Sequence, residues 1–249
     1  MLTSPSNRNY PKPPITEAII DLRVDVSPHL TLDELKKVHM GEEGGYPEIT
    51  QVHDSVGEFK FGADPQASVV SSPMGFIMRS ADGKQIHQAR LTGFSMSRLA
   101  PYEGWSEFRN EAYRLWSNYR AVVKPKKITR IAIRNINRID IPLPISDFSE
   151  YLDTFPQVSS SIPQGLSAYV MQLAMPLEEI HGQAIINEAI IEPVREKIVS
   201  VVIDIDVFRT EQLPMDDEEV WSLLDNQLRH VKDNLFEGCI TENARRLFI

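Results

Sequence analysis

Cysteine is nearly absent from this chain. Cys239 is the only one among 249 residues, which excludes an intrachain disulfide framework and any cysteine-rich metal cluster. Long apolar runs are missing as well, and nothing approaches the about 20 consecutive apolar residues that a membrane-crossing helix requires. The opening MLTSPSNRNYPKPP has neither a basic n-region nor an apolar core, so no secretory signal is expected and a reducing cytoplasm is the expected location. Positive charge is scarce: 26 Lys and Arg face 35 Asp and Glu, a net charge of −9 with a pI near 5.2. That balance opposes non-specific attraction to nucleic-acid phosphates, which depends on clustered Lys and Arg, and its field favours a basic protein partner.

The motifs of familiar chemistry are also missing. The histidines at 29, 39, 53, 87, 181 and 230 form no His-x-x-Glu-His pattern, and no Cys-x-x-Cys exists, so no metal and no cofactor is expected. Gly41-Glu-Glu-Gly-Gly45 lacks the lysine and hydroxyl of a phosphate loop, and its glutamates would repel phosphate. Ser71-Ser72, Ser95 and Ser159-Ser160-Ser161 lie in no Gly-x-Ser-x-Gly setting. Glu178-Glu179 and Glu218-Glu219 fall at turns or helix starts, where acidic residues serve solvation and capping. An enzyme of unrecognised type would have to use His230 or Cys239, and no partner base stands near the cysteine in sequence.

With 42% hydrophobic and 24% charged residues, the chain has enough apolar material for a sizeable core. Thr16 to Val26 alternates as a half-buried strand, with Ile20, Leu22, Val24 and Val26 on one face and Glu17, Asp21, Arg23 and Asp25 on the other. Thr31 is placed to cap a short helix through Met40. Phe59 to Phe61 is a short strand candidate. Phe76 to Ser97 reads as a hairpin around Asp82-Gly83, a pair suited to a tight two-residue turn. Trp105 to Val122 has helical periodicity and stops before Pro125. Ile128 to Ile141 is a long strand closed by Pro142 and Pro144. Three strands follow, Leu166 to Met175, Gln183 to Glu192 and Ile198 to Phe208, and then a helix from Asp216 or Asp217 to about Phe236 with Gly238 as its terminator.

Sliding the chain by 116 positions lays Trp105-Ser106 on Trp221-Ser222, Asn110 on Asn226 and Asn118 on Asn234, with the apolar stripes in phase. The expected fold is therefore α+β and internally duplicated: a polar, flexible arm over 1–14, one antiparallel sheet unit over 15–145 and a second over 146–249. Each unit ends in a long amphipathic helix packed on one face, and the two form one compact body.

Within the long strand, Arg130, Arg134 and Arg138 share a face with Asp140, while Ile131, Ile133, Ile139 and Ile141 share the other. Three arginines on one face could cradle an anion or a nucleic-acid backbone, although Asp204 and Asp206, on one face of the last strand, are well placed to form ordinary cross-strand pairs with them. Asn135 and Asn137 fall on the apolar side by alternation; either a bulge re-aims them, which is the expected account, or they are buried and hydrogen-bonded.

Tyr10-Pro-Lys-Pro-Pro-Ile-Thr-Glu-Ala18 leading into a strand, and the final helix ending in Gly-Cys-Ile-Thr241 with Phe248 near the terminus, resemble a sporadically distributed family of uncharacterised bacterial proteins of about this length. The resemblance brings no catalytic residues with it. Patchy distribution is similar to that of defence, toxin–antitoxin or immunity loci. Together with the acidic balance, it makes a non-enzymatic interaction component the leading expectation, binding a protein encoded nearby or a second copy of itself, with no membrane or nucleic-acid partner. The first alternative is a small-molecule or lipid-binding module with a pocket lined by Phe94, Met96, Trp116 and Met171.

Overall fold

The computed structural model describes residues 8–60 and 66–249, and over 55–60 and 66–70 only the backbone is described. Phe61, the end of one expected strand, lies outside the described residues. The fold is mixed α+β, with nine antiparallel strands in the order β2-β3-β4-β5-β1-β6-β9-β8-β7. The strands are β1 (Ile15–Asp25), β2 (Glu48–Lys60), β3 (Gln66–Arg79), β4 (Gln85–Arg90), β5 (Gly93–Leu99), β6 (Lys127–Pro142), β7 (Val170–Leu177), β8 (Gly182–Ile191) and β9 (Ile198–Arg209). The helices are α1 (Leu32–Leu35), α2 (Trp105–Val123), α3 (Asp217–Leu223), α4 (Arg229–Cys239) and α5 (Glu242–Arg245); a π turn over Leu224–Leu228 makes α3 and α4 continuous. Among the described residues, no helix is long and apolar enough to cross a membrane.

The chain divides into two compact units, one of Asp21–Arg98 with Trp105–Thr129 and one of Met1–Ile20, Leu99–Gly104 and Arg130–Ile249. In the first, Thr31 caps α1 in a reciprocal capping box with Glu34. The segment expected to be one hairpin holds three strands instead. β3 turns into β4 through a loop in which Gly83, at φ 69°, donates its N–H to Ser80 O. β4 then turns into β5 through Leu91-Thr92 alone, since Arg90 pairs directly with Gly93. Of the two turns only the one at Asp82-Gly83 carries a strong hairpin signature, so the sequence pattern shows one turn where the fold has two. Gly93 is required for another reason: a Cβ there would meet Leu22 O of β1 at 2.6 Å. The buried stripe of α2 (Phe108, Ala112, Leu115, Trp116, Tyr119, Val123) rests on this sheet region, where the Trp116 ring lies 5.9 Å from that of Phe94.

In the second unit, β6 to β9 are regular antiparallel partners, and α4 packs on β9. Asp216 caps α3 through the N–H groups of Glu218 and Glu219. Gly238 does not end the helix, which runs on to Cys239 and stops where Ile240 turns extended. The carbonyl of Cys239 instead accepts from Asp153 and Thr154, so the helix end is satisfied by a neighbouring loop rather than by a left-handed glycine. α2 begins at Trp105, whereas the later helix begins at Asp217, ahead of Trp221. Trp105 is half-buried and Trp221 fully buried, so the aligned tryptophans sit differently in their helices.

Candidate functional site

The arginine strand lies in the second unit, and its even-numbered residues face away from α4. Arg130 donates to Asp206 at 2.6 Å and its guanidinium stands 4.5 Å from the Phe208 ring centre. Arg134 grips Asp204 with two bonds of 2.6 Å. Arg138 donates to Asp140 at 2.9 Å and to Ser200 Oγ at 3.0 Å. Burial alone would raise the Asp140 carboxyl, but the bonds from Ser200 and Arg138 hold it below its ordinary range. Three guanidiniums thus meet three carboxylates, and the ladder carries no surplus charge toward a bound anion. The carboxylates arise from β6 and β9 because Arg134 stands opposite Asp206 and one step from Asp204 in the register.

The ladder extends as a polar row across four strands. Gln172 of β7 donates to Asn187 at 2.7 Å, and Asn187 donates at 3.1 Å to Asp204, the partner of Arg134. Around this row Ile136, Val202, Ile185 and Ala189 are half-buried, and the Arg134 side chain is 42% exposed. The face is a fixed mosaic of paired charges, amides and aliphatic groups. Replacing Arg134 by alanine is expected to cost about 1–3 kcal/mol, because Asp204 stays behind at 7% exposure with one amide donor. Urea unfolding of Arg134→Ala, Asp204→Asn and the double variant checks this, with the double variant recovering part of the loss.

The opposite face of the same strands holds two polar groups that alternation placed inward and others that sequence pattern missed. Asn135 and Asn137 are buried, and β6 pairs with β9 without any register shift, so no bulge re-aims them. Both are instead hydrogen-bonded beneath α4. Asn137 donates to Ile203 O at 3.0 Å, and the Asn135 side-chain carbonyl accepts at 2.8 Å from Lys232, itself 5% exposed. Two strands away in the same row stands Glu188, fully buried. One of its oxygens accepts from Tyr169 at 2.6 Å, while Oε2 has no hydrogen-bond partner. Burial lifts this carboxyl to about 7 against the opposing pull of the Tyr169 bond. Glu188 falls within the expected strand Gln183 to Glu192, and no local signal distinguishes it.

Cys239 lies close to this seam. Its thiol is buried and pushed up to about 11 by that burial, with a weaker opposing bond to Thr154, so it is a protonated thiol rather than a thiolate. His230 is half-buried on α4. Among the described residues, no group of three or more His, Cys, Asp or Glu could hold a metal ion.

In the first unit, the side chains of Phe94, Met96 and Trp116 are fully buried; Phe94 and Trp116 pack on each other and on Tyr119, and the Met96 sulfur meets the Tyr46 hydroxyl. Met171 is half-buried on β7. Tyr46 links Gln85 at 2.7 Å to Glu111 at 2.9 Å, and Arg114 ties Glu111 to the Gly44 carbonyl. His87 packs edge-on against Tyr46 with its Nδ1 unpartnered; burial lowers it to about 4, so it is neutral. These groups anchor the segment before β2 to α2. An open cleft of about 740 Å³ beside α3 is lined by Arg209, Leu213, Asp216, Glu219, Ser222 and Gln227, and Arg209 is already committed to the carbonyls of Glu211 and Gln212.

The terminal stretches that carry the family resemblance meet in space. Tyr10 donates to Glu237 at 2.6 Å and packs edge-on to Phe248, Lys12 N–H donates to Phe248 O, and Arg245 closes on Glu237 at 2.7 Å. They form a clasp between the chain ends and contain no nucleophile set against a base. Compared with models of known protein families and with curated protein sequences, the chain matches none.

Proposed function

We propose that this chain is a non-enzymatic interaction component that binds a partner protein through the face of β6, β9, β8 and β7 that carries the arginine ladder. The observation that carries the reading is the polar row from Gln172 through Asn187 and Asp204 to Arg134, fixed by hydrogen bonds and set among half-buried aliphatic residues. A surface of that composition matches the mixed, pre-organised character of protein interfaces, in which arginine is enriched. Preformed ion pairs reduce the ordering cost that binding would otherwise incur. The net charge of −9 favours a basic partner, and the resemblance to a sporadically distributed bacterial family favours a setting such as immunity, antitoxin or phage defence. The internal duplication belongs to the same reading, and it rests on the match of Trp105-Ser106, Asn110 and Asn118 with Trp221-Ser222, Asn226 and Asn234.

The test is affinity capture from an extract of the source organism, with cross-linking and mass spectrometry, using the wild-type chain and an Ile185→Arg variant. A specific basic protein retained by the wild type and lost from the variant is the expected result. Retention of the same proteins by the variant, or of none above a bead control, overturns the reading.

A further inference from the structure

We propose that the free edge of β7 is a self-association site that pairs antiparallel with β7 of a second copy of this chain. Among the described residues β7 is hydrogen-bonded to β8 alone and ends the strand order. Its sequence is Val-Met-Gln-Leu-Ala-Met-Pro-Leu, and from Gly165 to Leu177 no residue is charged. Exposed edges of soluble proteins are normally blunted by charges or bulges, because their unpaired N–H and C=O groups template pairing. The strand at the other end of the order follows that rule: β2 carries Glu48, Asp54, Glu58 and Lys60, and its pairing with β3 shifts register at Val52/His53. β7 has neither charge nor bulge, and its one edge-blunting residue, Pro176, lies near the strand's end.

The outward groups can be identified. Ile190 N–H donates to Tyr169 O at 3.3 Å, in line with the register that sets Val170 opposite Ala189. Tyr169, Met171, Leu173, Met175 and Leu177 therefore turn their backbone polar groups toward β8, and Val170, Gln172, Ala174 and Pro176 turn theirs to the open side. Pro176 thus falls where its missing N–H costs the β7–β8 ladder nothing. The pattern is self-complementary. With Gln172 opposite Ala174 of the second copy, and Val170 opposite Pro176, the outward N–H groups of 170, 172 and 174 meet the outward carbonyls of 176, 174 and 172.

In that register the intervening residues form the closer, non-hydrogen-bonded pairs, at about 4.5 Å between Cα atoms. Leu173 meets Leu173 of the second copy on the twofold axis, flanked by Met171 against Met175. These side chains are half-buried in a single chain and complete their burial on pairing. Charge selects the occupant. A basic partner drawn by the net −9 finds nothing to read on an uncharged edge, whereas a second β7 sets no like charges against each other. Glu178 and Glu179 of one copy fall opposite Ala168 and Ser167 of the other.

Sedimentation velocity of the full chain over a concentration series tests the site, with Leu173→Lys placing like charges on the axis and Ala174→Pro removing an outward donor while leaving the β8 ladder intact. A wild-type dimer is expected, and Ala174→Pro should weaken it about thirtyfold through two symmetry-related hydrogen bonds. Added salt should strengthen it by screening repulsion between two acidic chains. Should Leu173→Lys fail to fold, Ala174→Pro decides. A wild-type chain that stays monomeric, or a dimer indifferent to Ala174→Pro or weakened by salt, overturns the proposal. A monomer that still captures a partner in an Ile185-dependent way would leave the proposed function standing.

Discussion

Glu188→Gln should make the protein more stable above neutral pH by about 3 kcal/mol and leave it nearly unchanged near pH 4.5. The carboxyl sits at about 7 in the fold against an ordinary 4.5. Between those values the folded chain holds a proton that the unfolded chain has released, so the contribution of this group is fully present below about 4.5 and is lost as pH rises through about 7. Above that the ionised form persists with one oxygen hydrogen-bonded to Tyr169 and the other buried without a partner. Glutamine keeps the shape and the acceptor for Tyr169 but never ionises. Urea unfolding of both chains from about pH 4.5 to about pH 8 should give curves that start together and diverge upward for the variant. Parallel curves would mean that Glu188 is solvated or charge-paired, contrary to its burial. Glu188 shares its row with Asn137, and Asn135 beside it is bonded to Lys232, so a buried polar seam interrupts the apolar core of this unit.

Much of the ladder was legible because period-two alternation fixes which side chains share a face. Arg130, Arg134 and Arg138 could be assigned to one side of β6, and Asp204 and Asp206 to one side of β9, from sequence alone. The adjacency of those two strands could not, because long-range pairing leaves no local signal. The same alternation put Asn135 and Asn137 inward. The expectation of a bulge failed because their partners, the Ile203 carbonyl and Lys232, come from other elements. Lys232 itself was invisible: a uniform 3.6-residue period places the stripe on Leu228, Val231 and Leu235, and the π turn over Leu224–Leu228 precedes a helix whose inward face includes the lysine. β2 was largely missed because Glu48–Lys60 lacks strict alternation and carries His53, Asp54 and Gly57 amid its β-branched residues. Its strand identity comes from pairing with β3.

Trp116→Ala is expected to destabilise the protein by about 3–5 kcal/mol, and the size of that loss separates a packed core from a ligand pocket. Trp116 is fully buried on the inner stripe of α2, its ring stacked on Tyr119 at 5.6 Å and edge-on to Phe94 at 5.9 Å. Phe94 in turn rests against Tyr119 at 5.8 Å, so the three rings form a closed triangle in which each is held by the other two. Removing the indole leaves a cavity that neither β5 nor α2 can fill without breaking regular structure, and it strips two aromatic contacts as well as the transfer term. A side chain that lined a ligand site would behave otherwise, since one of its faces would meet ligand or solvent rather than protein, and truncation would cost little in the absence of ligand. Trp116→Phe should recover more than half of the loss by keeping an aromatic face toward Tyr119. Chemical denaturation of the three chains measures both differences. A loss below about 1 kcal/mol for Trp116→Ala would show that the site is not close-packed and would return Phe94, Met96 and Trp116 to the ligand-binding reading.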